Sequence, residues 1–282
     1  MLTSSTSRSV RFAAVLFVLA AVVPLAACGG GAAVASSAQE AHARGMEAFQ
    51  RGRHARAVEH FRQALDFGRT SEVAADAQLY LARAYAADDQ HLLATSEYAR
   101  FIGFYRTDPR LQDAAFERIQ SYAALSPAYE LDQTPTHDAL RYITEFIRQN
   151  PGTERAAEAA TLAATLREKL ARKQYEAARL YERRELYEAA MMAFAAVTAD
   201  YPTSPLADDA ALGQVRAAVL YAEGSIPARQ PERFREALRL YDQMVTLYPS
   251  SDRLREAEVL YDRAWQGLRA TGAEMPERAE GR

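Results

Sequence analysis

From Ser37 onward, apolar residues return every three or four positions almost without interruption, and no stretch alternates apolar with polar as a strand would. The pattern predicts an all-helical chain. Between Glu232 and Tyr248, Phe234, Ala237, Leu238, Tyr241, Met244, Val245 and Tyr248 line one face. Glu232, Arg235, Glu236, Arg239 and Asp242 fill the opposite one, as in a surface helix whose apolar stripe is buried. Pro249 ends this helix, because proline lacks the amide donor and clashes with the preceding turn. Similar endings stand at Pro109, Pro151 and Pro202. These prolines recur at intervals of roughly 40 to 50 residues, the mark of a helical repeat stretched by insertions.

Each repeat reads as a helix pair with small residues where the helices cross. The first carries Gly45, a turn at Gly52, then Ala57, Phe61 and Ala64. The second carries Ala82, Tyr85, Ala94, Tyr98 and Phe101, and the third Tyr122, Ala139, Ile143 and Phe146 after an inserted loop from Ser126 to Thr134. Pro127 and Pro135 bracket that loop as helix breakers. The fourth carries Ala178, Tyr181, Ala190, Phe194 and Val197, and its first helix runs unbroken from about Glu154 to Arg184. The fifth carries Ala218, Tyr221, Ala237, Tyr241 and Met244, with a loop from Gly224 to Pro231. A last amphipathic helix with Leu254, Ala257, Leu260, Tyr261, Ala264, Trp265 and Leu268 is expected to cap the stack. This order of elements resembles a tetratricopeptide array, which implies an all-α, right-handed superhelix of about five helix pairs plus the C-terminal capping helix.

The start of the chain has a different pattern. Arg8 and Arg11 precede an apolar run from Phe12 to Val23, and Pro24 leads into Leu25-Ala26-Ala27-Cys28, which holds the chain's single cysteine. The run is a secretory-signal layout and is short for a membrane-spanning helix. The tetrapeptide resembles the lipobox of bacterial lipoproteins, which implies cleavage before Cys28 and acylation of that residue. Residues 1–27 are then a signal peptide and 28–37, rich in Gly and Ser, a flexible tether. Residues 38–151 hold repeats one to three, 152–270 hold repeats four and five with the capping helix, and 271–282 read as a disordered tail. Gly29 stands where the family's sorting rule places Asp for retention in the inner membrane, so the resemblance implies the periplasmic face of the outer membrane.

Charge narrows the function. The 34 basic and 37 acidic residues are interleaved and the net charge is −3, which does not suit a nucleic-acid partner. With Cys28 acylated, no thiol remains for a disulfide. His42, His54, His60, His91 and His137 show no metal-ligand spacing, and neither HExxH nor CxxC occurs. No metal or cofactor is expected. Asp88-Asp89 and Asp208-Asp209 are adjacent pairs, which on a helix point about 100° apart and cannot work as a general acid and base. Ser204-Pro205 reads instead as a cap and first-turn proline for a helix that Asp208 and Asp209 open. No enzyme is expected, and a lytic transglycosylase built on a helical superhelix would need a catalytic domain beyond the array.

Three stretches carry a closer resemblance: Ala99 to Pro109, Ala139 to Pro151 continuing through Leu166 to Ala171, and Tyr175 to Ala190 ending at Tyr201-Pro202-Thr203-Ser204-Pro205. In this order, over roughly residues 38 to 222, they resemble the BamD family of outer-membrane lipoproteins. The first repeat departs from that family in ending with Phe67-Gly68-Arg69-Thr70-Ser71, where a Tyr-Pro is common, and Lys169 stands where Arg is usual. The resemblance implies a non-enzymatic scaffold of the machinery that inserts β-barrel proteins. Its implied partners are a BamA-like barrel insertase, other lipoproteins of that machine, unfolded outer-membrane proteins, and the membrane through the acyl chains on Cys28. Repeats one to three would receive a C-terminal segment of the unfolded barrels. Taking the usual phase of first helices, Met46, Phe49, Leu79, Arg83, Phe116 and Gln120 point into that groove, with Arg83 suited to a chain-end carboxylate. The same phase in repeat four sets Arg172, Tyr175, Arg179 and Arg183 on a basic ridge for partner docking. The rival reading is another tetratricopeptide lipoprotein, such as a secretin pilotin or a cell-wall or division coordination factor.

Overall fold

The computed structural model describes residues 35–275; the expected signal peptide, Cys28 with most of the tether, and the end of the tail lie outside the described residues. The described residues form eleven helices and no strand. In chain order they are α1 (Ala38–Gln50), α2 (His54–Asp66), α3 (Ala74–Ala87), α4 (His91–Phe104), α5 (Leu111–Ala124) and α6 (Thr134–Gln149). There follow α7 (Glu154–Arg183), α8 (Tyr187–Asp200), α9 (Ala207–Glu223), α10 (Gln230–Leu247) and α11 (Leu254–Ala270). Each helix packs on its sequence neighbour, and α1 also meets α3, α5 meets α7, and α9 meets α11. Five antiparallel pairs stacked in order, closed by α11, make a tetratricopeptide superhelix.

Close helix crossings rest on glycine beneath phenylalanine. A Cβ built on Gly45 of α1 would lie 2.7 Å from the Phe61 ring of α2, and one on Gly213 of α9 would lie 2.6 Å from Phe194 of α8. Gly267 of α11 stands against Phe234 of α10 in the same way. Phe61 and Phe194 are fully buried there. The long α7 joins two parts of the core. Ala159, Ala163 and Leu166 pack with Phe116, Ile143 and Phe146 of the third repeat, whereas Ala178 packs with Ala190, Phe194 and Val197 of the fourth.

Several local boundaries differ from expectation. Residues 35–37, expected in the tether, form the start of the array: Ala35 is buried, and Ser37 Oγ accepts from the Glu40 amide at 3.1 Å. Glu40 reaches back to the Ser36 amide at 2.8 Å and its hydroxyl at 2.7 Å, bonds that hold its carboxyl below the usual range. This reciprocal arrangement satisfies amides that a helix start leaves open. Helix α9 opens at Ala207 with no side-chain cap. Ser204 serves the turn before it, accepting from the Leu206 amide at 3.1 Å and donating to Glu168 at 2.6 Å. Pro135 and Pro231 lie inside the first turns of α6 and α10, where the missing amide proton costs nothing. The tail begins later than expected, because Ala273 and Met275 pack on the C-terminal core and Arg235 donates to the Glu274 carbonyl at 2.9 Å.

Candidate binding surfaces along the array

The first helices of successive repeats are laced together by polar and ionic contacts. His42 Nε2 lies 2.6 Å from Asp76, Asp76 lies 2.5 Å from Arg110, and Arg110 lies 2.9 Å from Asp108, which joins α1, α3 and the start of α5. The Arg110 hydrogen bonds hold the Asp108 carboxyl below its usual range. Further along, Arg155 of α7 lies 3.1 Å from Asp113 of α5. Arg216 of α9 lies 3.1 Å from Glu182 of α7 and 2.9 Å from Glu256 of α11. Burial opposes the charge on Arg216, but the two carboxylates outweigh it and its pKa stands above the ordinary value. Such partly buried pairs fix the register between repeats more than they add stability.

In repeats one to three the structure brings together a subset of the residues expected in the groove. Met46 and Phe49 are half-buried beside the first core, and Phe49 meets Tyr80 edge-on with ring centres 5.5 Å apart. Leu79 and Phe116 do not belong there: they are 0 % and 4 % exposed and lie in the core. The reason is phase. Bonds between equivalent first-helix positions join residues 34 apart, as in Arg83 with Glu117. That step carries Met46 to Tyr80 and Arg83 to Glu117, whereas Leu79 falls at the buried position of Gly45. Tyr80 therefore stands in step with Met46, and Glu117 with Arg83, two positions that the pattern missed and that applying the 34-residue step strictly would have found. Gln120 is exposed in α5.

Arg83 is already engaged. Its Nε and Nη2 donate to the two carboxylate oxygens of Glu117 at 2.9 and 2.7 Å, and these bonds raise its pKa. The guanidinium also lies 5.1 Å from the centre of the Tyr80 ring. The Tyr98 hydroxyl stands behind this pair, its pKa pushed well up by burial and by the neighbouring Glu117. The groove at repeat two thus presents an aromatic wall of Phe49 and Tyr80 capped by a closed ion pair. The hydrogen-bonding fork expected to receive a carboxylate is filled from within the chain.

On α7 the four expected ridge residues have different surroundings. Arg172 stacks on the Tyr129 ring at 4.9 Å, in the enlarged loop of repeat three. Tyr175 packs on Phe194 with centres 5.7 Å apart, and burial raises its pKa. Arg179 lies 3.6 Å from Glu176 in its own helix. Arg183 is exposed and makes no ion pair to a described residue. Around it Leu180, Tyr181 and Leu186 are exposed apolar side chains at the end of α7 and the turn into α8. A mixed basic and apolar patch, not a continuous basic ridge, is what this end of α7 presents.

Two lysines hold the 126–134 loop: Lys169, noted above only as a departure from the family, and Lys173, which the pattern did not single out. Lys169 donates to the Ser126 carbonyl at 3.2 Å and hydroxyl at 2.8 Å. Lys173 donates to the carbonyls of Tyr129, Glu130 and Leu131 at 3.1, 3.3 and 2.8 Å. The Ser126 hydroxyl lies 2.6 Å from that of Thr136 in α6, and within the loop Gln133 donates to the carbonyls of Ala128 and Leu131 at 2.8 and 3.0 Å. An ammonium with three rotatable donors suits converging carbonyls in a way that a planar guanidinium does not. The signal was present in the composition, since these two are the chain's only lysines among 34 basic residues.

Among the described residues no group of His, Cys, Asp and Glu is arranged to hold a metal, and no helix is long and apolar enough to cross a membrane. The array has a general likeness to solved repeat structures. The TPR2AB domain of yeast Sti1, in a complex with pHSP90, is 16 % identical over 80 % of this chain and 98 % of its own, with a TM-score of 0.38. A TPR repeats protein from Bacteroides fragilis is 14 % identical over 82 % of this chain and 98 % of its own, with a TM-score of 0.43. No curated protein matches the chain. The family model described as YfiO, outer membrane lipoprotein, matches residues 34–218, which is more than half of the chain. That span runs from the cap of α1 through the loop, the long α7 and most of α9, and the chain belongs to the YfiO family of outer membrane lipoproteins.

Proposed function

We propose that this lipoprotein is a non-enzymatic scaffold of outer-membrane β-barrel assembly, held on the periplasmic face by acyl chains on Cys28. Repeats one to three receive segments of unfolded outer-membrane proteins, and repeats four and five dock a BamA-like barrel insertase and other lipoproteins of that machine. The observation that carries the reading is the family match across residues 34–218, which spans repeats one to four and most of α9. The aromatic wall of Phe49 and Tyr80 supports a groove for side chains of an extended client segment. The exposed Arg183 with Tyr181, flanked by exposed Leu180 and Leu186, supports a docking patch, because tyrosine and arginine are enriched at interface centres. A pull-down of the acylated chain from detergent-solubilised outer membranes is expected to recover a barrel-type insertase. Recovery of a secretin or of division proteins in its place would favour the rival tetratricopeptide scaffolds.

The Arg83–Glu117 pair sharpens what the groove accepts. A client carboxylate must displace Glu117, so aromatic side chains rather than the chain end supply most of the affinity. Glu117→Gln leaves Arg83 with a neutral partner and opens its fork. A hydrogen bond to a charged group contributes about 1.5–3 kcal/mol, so a peptide ending in an aromatic residue with a free carboxylate should bind the variant about tenfold more tightly or better. The amidated peptide should show no gain. Equal gains for both peptides, read by calorimetric titration, would place the carboxylate elsewhere.

A further inference from the structure

The starts of α1, α3 and α5 stand side by side, as the chain of contacts from His42 through Asp76 to Arg110 requires. The turns that lead into α3 and α5 therefore share one edge of the array with residue 35, where the described chain begins. Both turns carry the pattern Phe-x-Arg-Thr, as Phe67-Gly68-Arg69-Thr70 and Phe104-Tyr105-Arg106-Thr107. Phe67 is 49 % exposed and Phe104 is 57 % exposed, and both arginines and both threonines are exposed as well. The turns also touch: Tyr105 donates to the Arg69 carbonyl at 3.4 Å, and the Arg69 guanidinium lies 4.5 Å from the centre of the Phe104 ring. The next turn, Asn150-Pro151-Gly152-Thr153, carries neither a phenylalanine nor an arginine.

Exposed aromatic rings next to arginine, repeated at one edge, match a phospholipid surface, whose boundary takes apolar side chains and whose phosphates take guanidinium groups. Exposed Asp66 and Glu72 flank the first of these turns and Asp108 follows the second, so the edge is not a general polyanion site. The chain itself brings a bilayer close. Cys28 and Ala35 are seven residues apart, a span of at most about 25 Å at ~3.6 Å per residue. A weak contact becomes effective over such a distance, because the anchor holds the surface at high local concentration.

We propose that the edge formed by residues 67–70 and 104–107 rests on the phospholipid surface to which the chain is anchored. Phe67 and Phe104 enter the boundary between headgroups and acyl chains, and Arg69 and Arg106 meet phosphates. This rests on the reading of Cys28 as the acylated anchor. Its consequence is orientation: the first helices of repeats one and two stand with their starts toward the bilayer, and the groove formed by stacking them runs along the membrane plane.

The test uses the acylated full-length chain on vesicles of phosphatidylethanolamine and phosphatidylglycerol with brominated acyl chains. Trp265 is the only native tryptophan, so Trp265→Phe gives a silent background. Into it are placed Phe67→Trp, Phe104→Trp, or Leu247→Trp at the exposed end of α10 on the last turn. The first two should shift emission to shorter wavelength and lose most of their intensity to bromine, while the third should stay unchanged. Unquenched emission from both Phe67→Trp and Phe104→Trp, in protein that floats with the vesicles, would overturn the proposal and leave the scaffold reading intact. Emission that shifts only when a partner protein is added would overturn it in favour of a protein contact. A chain that fails to float at all would overturn the acyl anchor, and this inference with it.

Discussion

Replacing Phe194 with alanine is expected to cost about 3–5 kcal/mol, the range for emptying a buried aromatic site. The ring is 1 % exposed, packs with Ala178, Ala190, Val197, Ala210 and Ala217, and covers Gly213 so closely that no side chain fits beneath it. Gly213→Val attacks the same contact from the other helix and should cost about 1–3 kcal/mol by overpacking. Because the added methyl groups occupy part of the space that Phe194→Ala empties, the double variant should be less destabilised than the sum of the two. Stability in a repeat array is close to a sum over neighbours. Hydrogen exchange should therefore accelerate in α8, α9 and α10 while α1 to α4 keep their protection. Uniform acceleration along the whole chain would show that the array unfolds as one cooperative unit.

The second large effect concerns the lysine pair. Lys169 and Lys173 together reach the carbonyls of Ser126, Tyr129, Glu130 and Leu131. Hydrogen bonds to a charged group contribute about 1.5–3 kcal/mol each when sheltered, and less here because part of the site faces solvent. Lys169→Met with Lys173→Met should destabilise the loop by about 2 kcal/mol in total, which speeds exchange of its amides roughly thirtyfold. Arg172 should lose its stacking partner Tyr129 as the loop loosens. In the native protein both amines should react slowly with an acylating reagent and rapidly once urea unfolds the array. Equal rates in the two states would show that the ammonium groups are free.

How far the sequence could be read depended on the distance over which each feature is decided. The long helix was plain from its unbroken period, because a helix follows from spacing within a few turns. It is observed as Glu154–Arg183, within one residue of expectation. Gly45 over Phe61 was also legible, since a small residue facing a large one across a short turn is a local relation. The groove was less so. A one-residue error of phase exchanged Tyr80 for Leu79 and Glu117 for Phe116, and on a helix one residue turns a side chain by about 100°. Only contacts between repeats, such as Arg83 with Glu117, settle that phase.

Cap residues show the same limit. Ser204 stood in a plausible position to cap α9, yet its hydroxyl goes to Glu168 of α7, 36 residues away. Ser36 and Ser37 looked like part of a linker, but Ser36 donates to the Glu40 carboxylate and Ser37 accepts from the Glu40 amide, and together they form the first cap of the array.

By itself, the amino-acid sequence determined that the chain is a stack of helix pairs with a lengthened joint and a capping helix, because the apolar period and its breaks dictate which segments are helical. It also carried Cys28 in a lipobox-like setting, a feature that needs no fold to be read. The tertiary structure alone decided that Tyr80 and not Leu79 is the half-exposed residue in step with Met46, that Arg83 is closed by Glu117, and that the only two lysines clasp one loop. These relations join residues that are 34 to 44 apart along the chain. They are set by how neighbouring repeats pack, and local spacing carries no record of that.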